Sequence, residues 1–497
     1  MSPIKMKESL ELLASLGDVL PFLAPAKATI LLIARAVEEA EDNSNQCMYL
    51  LQRCTNLCIH INRLCKENKD MEHSEHLMDL KHALNKVLIC IEHLSRKTPL
   101  QRFLQRQEIS SSIENVHKCL DGCLELFHIK GIASLAFVAS SHEAARQQDQ
   151  IHLASTLEQL QRNDENILES LELRGDQLME AIRGLRNTLQ RGIIDAVQRQ
   201  FAATSLQTLL ERQPSDFPSV ISYDWAVSSL EILIEGEVLG SGTFGTVYAG
   251  RWNGTRVAVK QLIRGTPRQV LIKEIDIWRR LQHPHVASFF RACIESNPPL
   301  LVSELYQFGN LLVYLNDFPN ASRTNICREI SLGMIFLHNQ RIIHGDLKPA
   351  NVLMDSAHHA RITDFGLSKI KSALTTQTVG DISEAILPKS PGTKVFMAPE
   401  RLRRGTMNFA TDVYAFAMTA YQVFTGEAPF QHLPEDDIRQ VVVVDRERPE
   451  RPEGTDVVVR GLTDSMWHLI ERCWADNRSE RPKFEEVAKA IHICQVR

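Results

Sequence analysis

Proline and glycine are scarce in the first half of this 497-residue chain. Between Pro25 and Pro214 the only proline is Pro99, and residues 1–230 hold 6 of the 23 glycines. A stretch poor in both excludes an architecture of strands and tight turns and reads as helices. Long apolar runs are also lacking. Glu11 and Asp18 interrupt the first candidate, and the run from Ala28 to Ala34 stops at Arg35. Both fall far short of the ~20 residues a membrane span needs, so neither a signal peptide nor a transmembrane helix is expected. Positive charge is not in surplus: 56 Lys and Arg stand against 61 Asp and Glu, a net charge of -5, which argues against nucleic acid as a partner. The 11 cysteines include no C-x-x-C pair of the kind that binds zinc. Cys47, Cys54, Cys58, Cys65, Cys90, Cys119 and Cys123 fall at mostly helical intervals and read as small buried apolar residues in a reducing, cytoplasmic setting.

What is present is an ordinary globular balance, 44% hydrophobic and 24% charged, in a chain long enough for about two or three domains. Apolar residues recur every three or four positions from Lys27 to Lys66, which reads as one long helix or two, then through Leu77 to Leu94, and again through Ile113 to Phe127. Short polar joints between them point to an antiparallel bundle over 1–140. Leu153, Leu157, Leu160, Ile167, Leu171, Leu178, Ile182, Leu185 and Leu189 mark a helical brace and linker over 141–228. Asp164 in its apolar seam favours a brace folded on the bundle over a dimerising coiled coil. After residue 229 glycine, proline and β-branched residues increase, so the class becomes α+β.

The chemistry lies in that second half. Residues 239–247 read Leu-Gly-Ser-Gly-Thr-Phe-Gly-Thr-Val, a G-x-G-x-x-G-x-V pattern whose glycines let backbone lie close over phosphates. A dinucleotide-binding turn uses the same glycines, but a helix follows it at once. Here a strand pattern follows, turns at Asn253-Gly254, and returns through Arg256 to Gln261, presenting Val257-Ala258-Val259-Lys260.

With the motifs downstream, this segment resembles the eukaryotic protein kinases. Glu274 in a helical run, His344-Gly345-Asp346-Leu347-Lys348-Pro349-Ala350-Asn351, Asp364-Phe365-Gly366, Ala398-Pro399-Glu400, Asp412 and Arg481 appear in that family's order over about 265 residues. The resemblance implies a bilobal fold over 229–497, with an N-lobe at 229–305 and a C-lobe at 306–497, using ATP and Mg2+ to phosphorylate protein substrates. Gly240, Ser241, Gly242, Thr243, Phe244 and Gly245 would cover the phosphates. Lys260 would hold the α and β phosphates, steadied by Glu274, while Val247 and Ala258 would sandwich the adenine. Glu304, Leu305 and Tyr306 would form the hinge, behind a small gatekeeper, Ser303. Asp364 and Asn351 would take magnesium, hard oxygens suiting a hard cation. Asp346 would accept the substrate proton and Lys348 would offset charge on the γ-phosphate.

Lys348 in the catalytic loop and Thr393 ahead of Ala398 resemble the serine/threonine pattern. Arg448-Pro449, Cys473-Trp474, Arg478 and Arg481-Pro482 look most like the tyrosine-kinase-like branch. Gly345 departs from the family, where arginine usually stands and binds a phosphate on the activation segment; activity independent of that phosphate contact is the expectation. The order of bundle, brace and kinase resembles the mixed-lineage kinase domain-like proteins. Three roles for the helical half stay open: regulating or localising a serine/threonine kinase, acting as a membrane- or partner-binding effector of cell-death type gated by the kinase domain, or serving as an adaptor or self-association surface. Arg53, Arg63, Lys66, Lys81 and Arg96 permit peripheral contact with acidic lipid, although a solvated helix face is the favoured reading of them.

Overall fold

The computed structural model describes residues 23–38, 44–67, 76–95, 97–126, 144–149, 151, 177–191, 194, 196–211, 223–242, 245–365 and 393–496. The chain divides into two compact units. One comprises Met1–Ile221 with Val227–Leu233 and Arg251–Thr255, and the other Ser222–Ala226, Ile234–Gly250 and Arg256–Arg497.

The first unit is helical. Helices α1 (Ala24–Glu38), α2 (Ser44–Glu67), α3 (His76–Ser95) and α5 (Arg106–Leu126) share one core, and the short α4 (Pro99–Leu104) precedes the last of them. Ile30, Ile33, Ala34 and Val37 show why: the spacing i, i+3, i+4, i+7 puts all four on one face, and all four are buried. Fully burying one such side chain stabilises by about 2 kcal/mol. The stretch from Lys27 to Lys66 is thus two helices. Cys47, Cys54, Cys58 and Cys123 belong to this core, and burial pushes the Cys54 thiol up to about 12, as befits an inert apolar residue. Cys90 and Cys119 are half-buried at its margin. The entry to α4 is fixed by a reciprocal cap between Thr98 and Gln101, with Pro99 at the first helical position where its missing N–H costs nothing.

A second core joins α4 to α6 (Leu178–Arg191) and α7 (Ala196–Glu211) through Leu100, Phe103, Ile182, Leu185, Phe201 and Leu209. Most of the expected brace, residues 152–176, lies outside the described residues; Leu178, Ile182, Leu185 and Leu189 fall on α6. Among the described residues no helix is long and apolar enough to cross a membrane.

The second unit has the two lobes expected of its motifs. A five-stranded sheet in the order β1-β2-β3-β5-β4 is built from β1 (Leu233–Gly242), β2 (Gly245–Trp252), β3 (Thr255–Leu262), β4 (Phe289–Cys293) and β5 (Leu300–Glu304), with α8 (Arg268–Trp278) between β3 and β4. Asn253 and Gly254, both at positive φ, make the two-residue turn between β2 and β3. The other lobe is mainly helical: α9 (Leu311–Asp317), α10 (Arg323–Asn339), α11 (Pro399–Arg404), α12 (Phe409–Thr425), α13 (Thr455–Val459), α14 (Asp464–Cys473) and α15 (Phe484–Val496), with a small pair β6 (Val352–Met354) and β7 (Ala360–Ile362).

Gly333 of α10 lets β7 come close. A Cβ there would lie 2.6 Å from His285 O and 2.7 Å from Ile362 Cδ1. Because the first obstacle is backbone that cannot rotate away, Gly333→Ala is expected to destabilise this unit by about 1–3 kcal/mol. Urea unfolding reads it directly, and a midpoint equal to wild type would count against the tight approach.

Candidate active site

The register of β3 against β5 builds one wall of a cleft. Ala258 pairs with Ser303 and Lys260 with Leu301, so these four alternate residues share one face, while Val257 and Val259 are buried on the other. All four line a cavity of about 980 Å3. Gly240, Ser241, Gly242, Gly245 and Val247 from the glycine-rich hairpin also line it, with Glu304, Leu305 and Tyr306 beyond β5 and Asp346, Lys348, Asn351 and Asp364 from the helical lobe. Thr243 and Phe244 lie outside the described residues. Glu274 stands half-buried on α8, beside the buried Ile275, and is not among the residues lining the cavity.

The charged groups meet across this cleft. Lys260 Nζ donates to Asp364 Oδ1 at 2.6 Å. Lys348 Nζ lies 3.5 Å from Asp346 Oδ2 and donates to Thr393 Oγ1 at 2.8 Å, which brings the buried Thr393 to the loop that carries Asp346. Asn351 Nδ2 donates to the Asp346 carbonyl at 2.7 Å. That bond uses only the N–H side of the amide, so its oxygen stays available as a hard ligand, and Asn351 and Asp364 line the same cavity. Asp364 has φ of 60°, a left-handed conformation uncommon outside glycine and typical of residues held for function.

The loop is anchored from beneath. Asp412, buried on α12, accepts from His344 N, Gly345 N and His338 Nε2, each at 2.9 Å. Burial holds the His344 imidazole below its usual range and therefore neutral, so its Nδ1 accepts from Asp346 N at 3.2 Å. Phe365 packs edge-on against both Trp278 of α8 and His344, at 5.8 and 6.4 Å between ring centres, so aromatic contact links the sheet-side helix to the loop. Just beyond β5, the Tyr306 hydroxyl donates to Glu304 Oε2 and accepts from Ser288 N, both at 3.0 Å; burial, helped by the Glu304 carboxylate, pushes its phenol up to about 12.

The residues fit a nucleotide and a divalent cation. A Cβ at Gly240 or Gly242 would meet nothing within 4 Å, so protein packing does not demand glycine there, and the open space leaves room for a ligand to approach the backbone closely. Gly245 is required for another reason: its φ is 137° and a Cβ would lie 1.9 Å from Gln261 O. Leu353, Asn310 and Trp278 also line the cavity and were not singled out from sequence. Asn310 carried a signal, since it caps α9 by accepting from Leu312 N and Val313 N, while Leu353 on a three-residue strand reads like any core leucine.

Arg481 and Glu400 form a two-pronged pair at 2.8 and 3.0 Å, as their motifs imply. Arg448 Nε donates to Trp474 O at 2.9 Å, and the Arg448 and Arg481 guanidinium groups lie 5.3 and 5.1 Å from the ring centre of Tyr414, so these separated motifs meet in one place.

Comparison with known proteins agrees with this arrangement. Residues 233–491 match the family model described as protein tyrosine and serine/threonine kinase, just over half of the chain. The chain is 32% identical over 295 residues to the serine/threonine-protein kinase VIK of Arabidopsis thaliana, a match covering 56% of this chain and 64% of that protein. It is 33% identical over 288 residues to the dual specificity protein kinase shkC of Dictyostelium discoideum, covering 56% of this chain and 54% of that protein. It therefore spans less than two thirds of the length of either relative. By the match across its second half, the chain belongs to the protein tyrosine and serine/threonine kinase family.

Proposed function

We propose that this protein transfers the γ-phosphoryl group of ATP to serine and threonine hydroxyls of protein substrates, through a catalytic domain at 229–497 of the tyrosine-kinase-like branch. The observation that carries the reading is the convergence of Lys260, Asp364, Asn351, Asp346 and Lys348 on one cavity under a glycine-rich hairpin. Phosphoryl transfer needs little covalent help from the protein, so positioning and charge neutralisation supply the catalysis. Val247 and Ala258, with Leu353 on the same cavity, clasp the adenine, and backbone groups at Glu304 to Tyr306 bond its edge. Lys260 holds the phosphates, Glu274 of α8 is assigned to steady it by the family pattern, and Lys348 faces the γ-phosphate. Asp364 and Asn351 would hold magnesium, which would supply charge neutralisation at the phosphate oxygens. Asp346 orients the acceptor hydroxyl and takes its proton.

The Lys348–Thr393 hydrogen bond supports an aliphatic hydroxyl as acceptor, since it places a second hydroxyl-bearing wall beside Asp346. Incubation with radiolabelled ATP, Mg2+ and matched peptides bearing Ser, Thr or Tyr tests this. Label on Ser and Thr at least tenfold above Tyr is the expected result, and comparable labelling of Tyr would replace it with dual specificity.

The helical half regulates or localises this activity. Supporting that reading, the segment leading into β1 belongs to the helical unit: Leu230 lies in its second core, and Gln105 Nε2 donates to Leu230 O at 2.7 Å and Ile232 O at 3.0 Å. Glu108 accepts from Gly254 N at 3.2 Å, and the turn residues 251–255 likewise belong to the helical unit. Comparing kcat of the full chain and of residues 223–497 checks it; identical kinetics and identical cellular distribution would remove the role.

A further inference from the structure

Position 345 has no side chain, and its φ of 72° is the left-handed backbone that glycine adopts freely. The charge that faces the catalytic loop here comes from elsewhere. Arg401, directly after Glu400 on α11, donates a hydrogen bond from Nη1 to the Gly345 carbonyl. Its guanidinium is drawn out of water, which lowers its pKa, and the carboxylates of Asp346 and Asp412 act in the opposite sense to hold its charge. The Gly345 carbonyl and the Asp346 amide belong to one peptide unit. That unit is gripped on both sides, by Arg401 at the oxygen and by His344 Nδ1 at the N–H. The preceding peptide is held through Gly345 N by Asp412 at 2.9 Å. The orientation of the backbone that carries Asp346 therefore depends on Asp412, His344 and Arg401. Of these, Arg401 alone brings a fixed positive charge, because a guanidinium does not deprotonate at physiological pH.

We infer that Arg401 is a positioning residue for phosphoryl transfer: it locks the Gly345–Asp346 peptide plane and sets a permanent cation beside Asp346, from the helix that follows the activation segment. The inference rests on the proposed role of Asp346 as proton acceptor. It explains how a loop with glycine at 345 keeps a cation at this place without any phosphate to recruit one. Arg401 is anchored for the task, since its neighbour Glu400 is clamped by Arg481. Small displacements of a reacting group are costly, so release of one peptide plane lowers turnover while leaving nucleotide contacts on the opposite lobe intact.

The test uses the full chain with Mg2+, ATP and a serine-containing peptide, comparing wild type, Arg401→Ala, Arg401→Lys, Arg401→Gln and Asp346→Asn. Arg401→Ala is expected to lower kcat by about tenfold or more with KM for ATP changed less than about twofold, and Arg401→Lys is expected to recover most of the loss. A kcat for Arg401→Ala within about twofold of wild type, or Arg401→Lys no better than Arg401→Ala, overturns the inference. Should Arg401→Ala fail to melt cooperatively, the Lys and Gln variants decide: kcat at least about fivefold higher for Lys supports the fixed charge, and equal values overturn it. Asp346→Asn separates the two ideas. If it stays active, the base assignment fails; if it is inactive while Arg401→Ala is not, only the present inference fails.

Discussion

Asp346→Asn is expected to lower kcat for peptide phosphorylation by about 10²- to 10⁴-fold, the range for losing a general base, with KM for ATP nearly unchanged. The substitution keeps the shape of the side chain and leaves the backbone bonds around it in place: Asn351 Nδ2 to the carbonyl of residue 346, and the amide of that residue to His344 Nδ1. What is lost is the capacity to take a proton and the negative charge facing Lys348 Nζ, 3.5 Å away. On the proposed reading other groups, the Lys260–Asp364 pair and the glycine-rich hairpin, would grip the nucleotide, so binding should survive. The drop corresponds to about 3–5 kcal/mol of transition-state stabilisation. Steady-state kinetics under saturating Mg2+ and ATP give the answer, and a kcat within about fivefold of wild type would sink the assignment. Lys260→Met provides the contrast, because it should raise KM for ATP as well as lower kcat.

The largest stability effect is expected at Arg481. Its side chain is fully buried, pairs with both oxygens of Glu400, and also donates to the carbonyls of Ala475 at 2.8 Å and Ala410 at 2.9 Å. Replacing a buried ion pair by apolar groups can be neutral, but removing one partner leaves a buried charge without compensation. Arg481→Ala should therefore destabilise the second unit by about 3–5 kcal/mol, a fall in Tm of roughly 10 °C for a domain of this size. Arg478→Ala, three residues away and exposed, is the control and should change stability by less than about 0.5 kcal/mol. A loss below about 1 kcal/mol for Arg481→Ala would show that Glu400 finds another partner or water. Activity should fall in parallel, because Glu400 immediately precedes Arg401 on α11.

Much of this was legible from sequence, for reasons specific to the residues. The bundle helices were readable because apolar residues on one face of a helix must recur at 3.6-residue intervals, as Ile30, Ile33 and Val37 do. The β2–β3 hairpin was readable because Asn253-Gly254 favours positive φ at both turn positions. Division of the first long periodic stretch into α1 and α2 was not settled, since one apolar period serves one helix or two. Leu353 and the Trp278–Phe365–His344 contacts were illegible because apolar and aromatic residues look alike in a sequence wherever they are buried.

The sequence by itself determined the family and the candidate residues: highly charged phosphates call for a few residue types, such as glycine, lysine, aspartate and asparagine, at spacings set by local turns and strands. Those spacings are short-range, so they can be read along the chain. Only the tertiary structure decided which partners meet. Lys260 pairs with Asp364 across 104 residues, Lys348 reaches Thr393 across 45, and Arg401 bonds to Gly345 across 56. Contacts of that separation depend on how the lobes, helices and loops pack, and no local pattern around either partner encodes them.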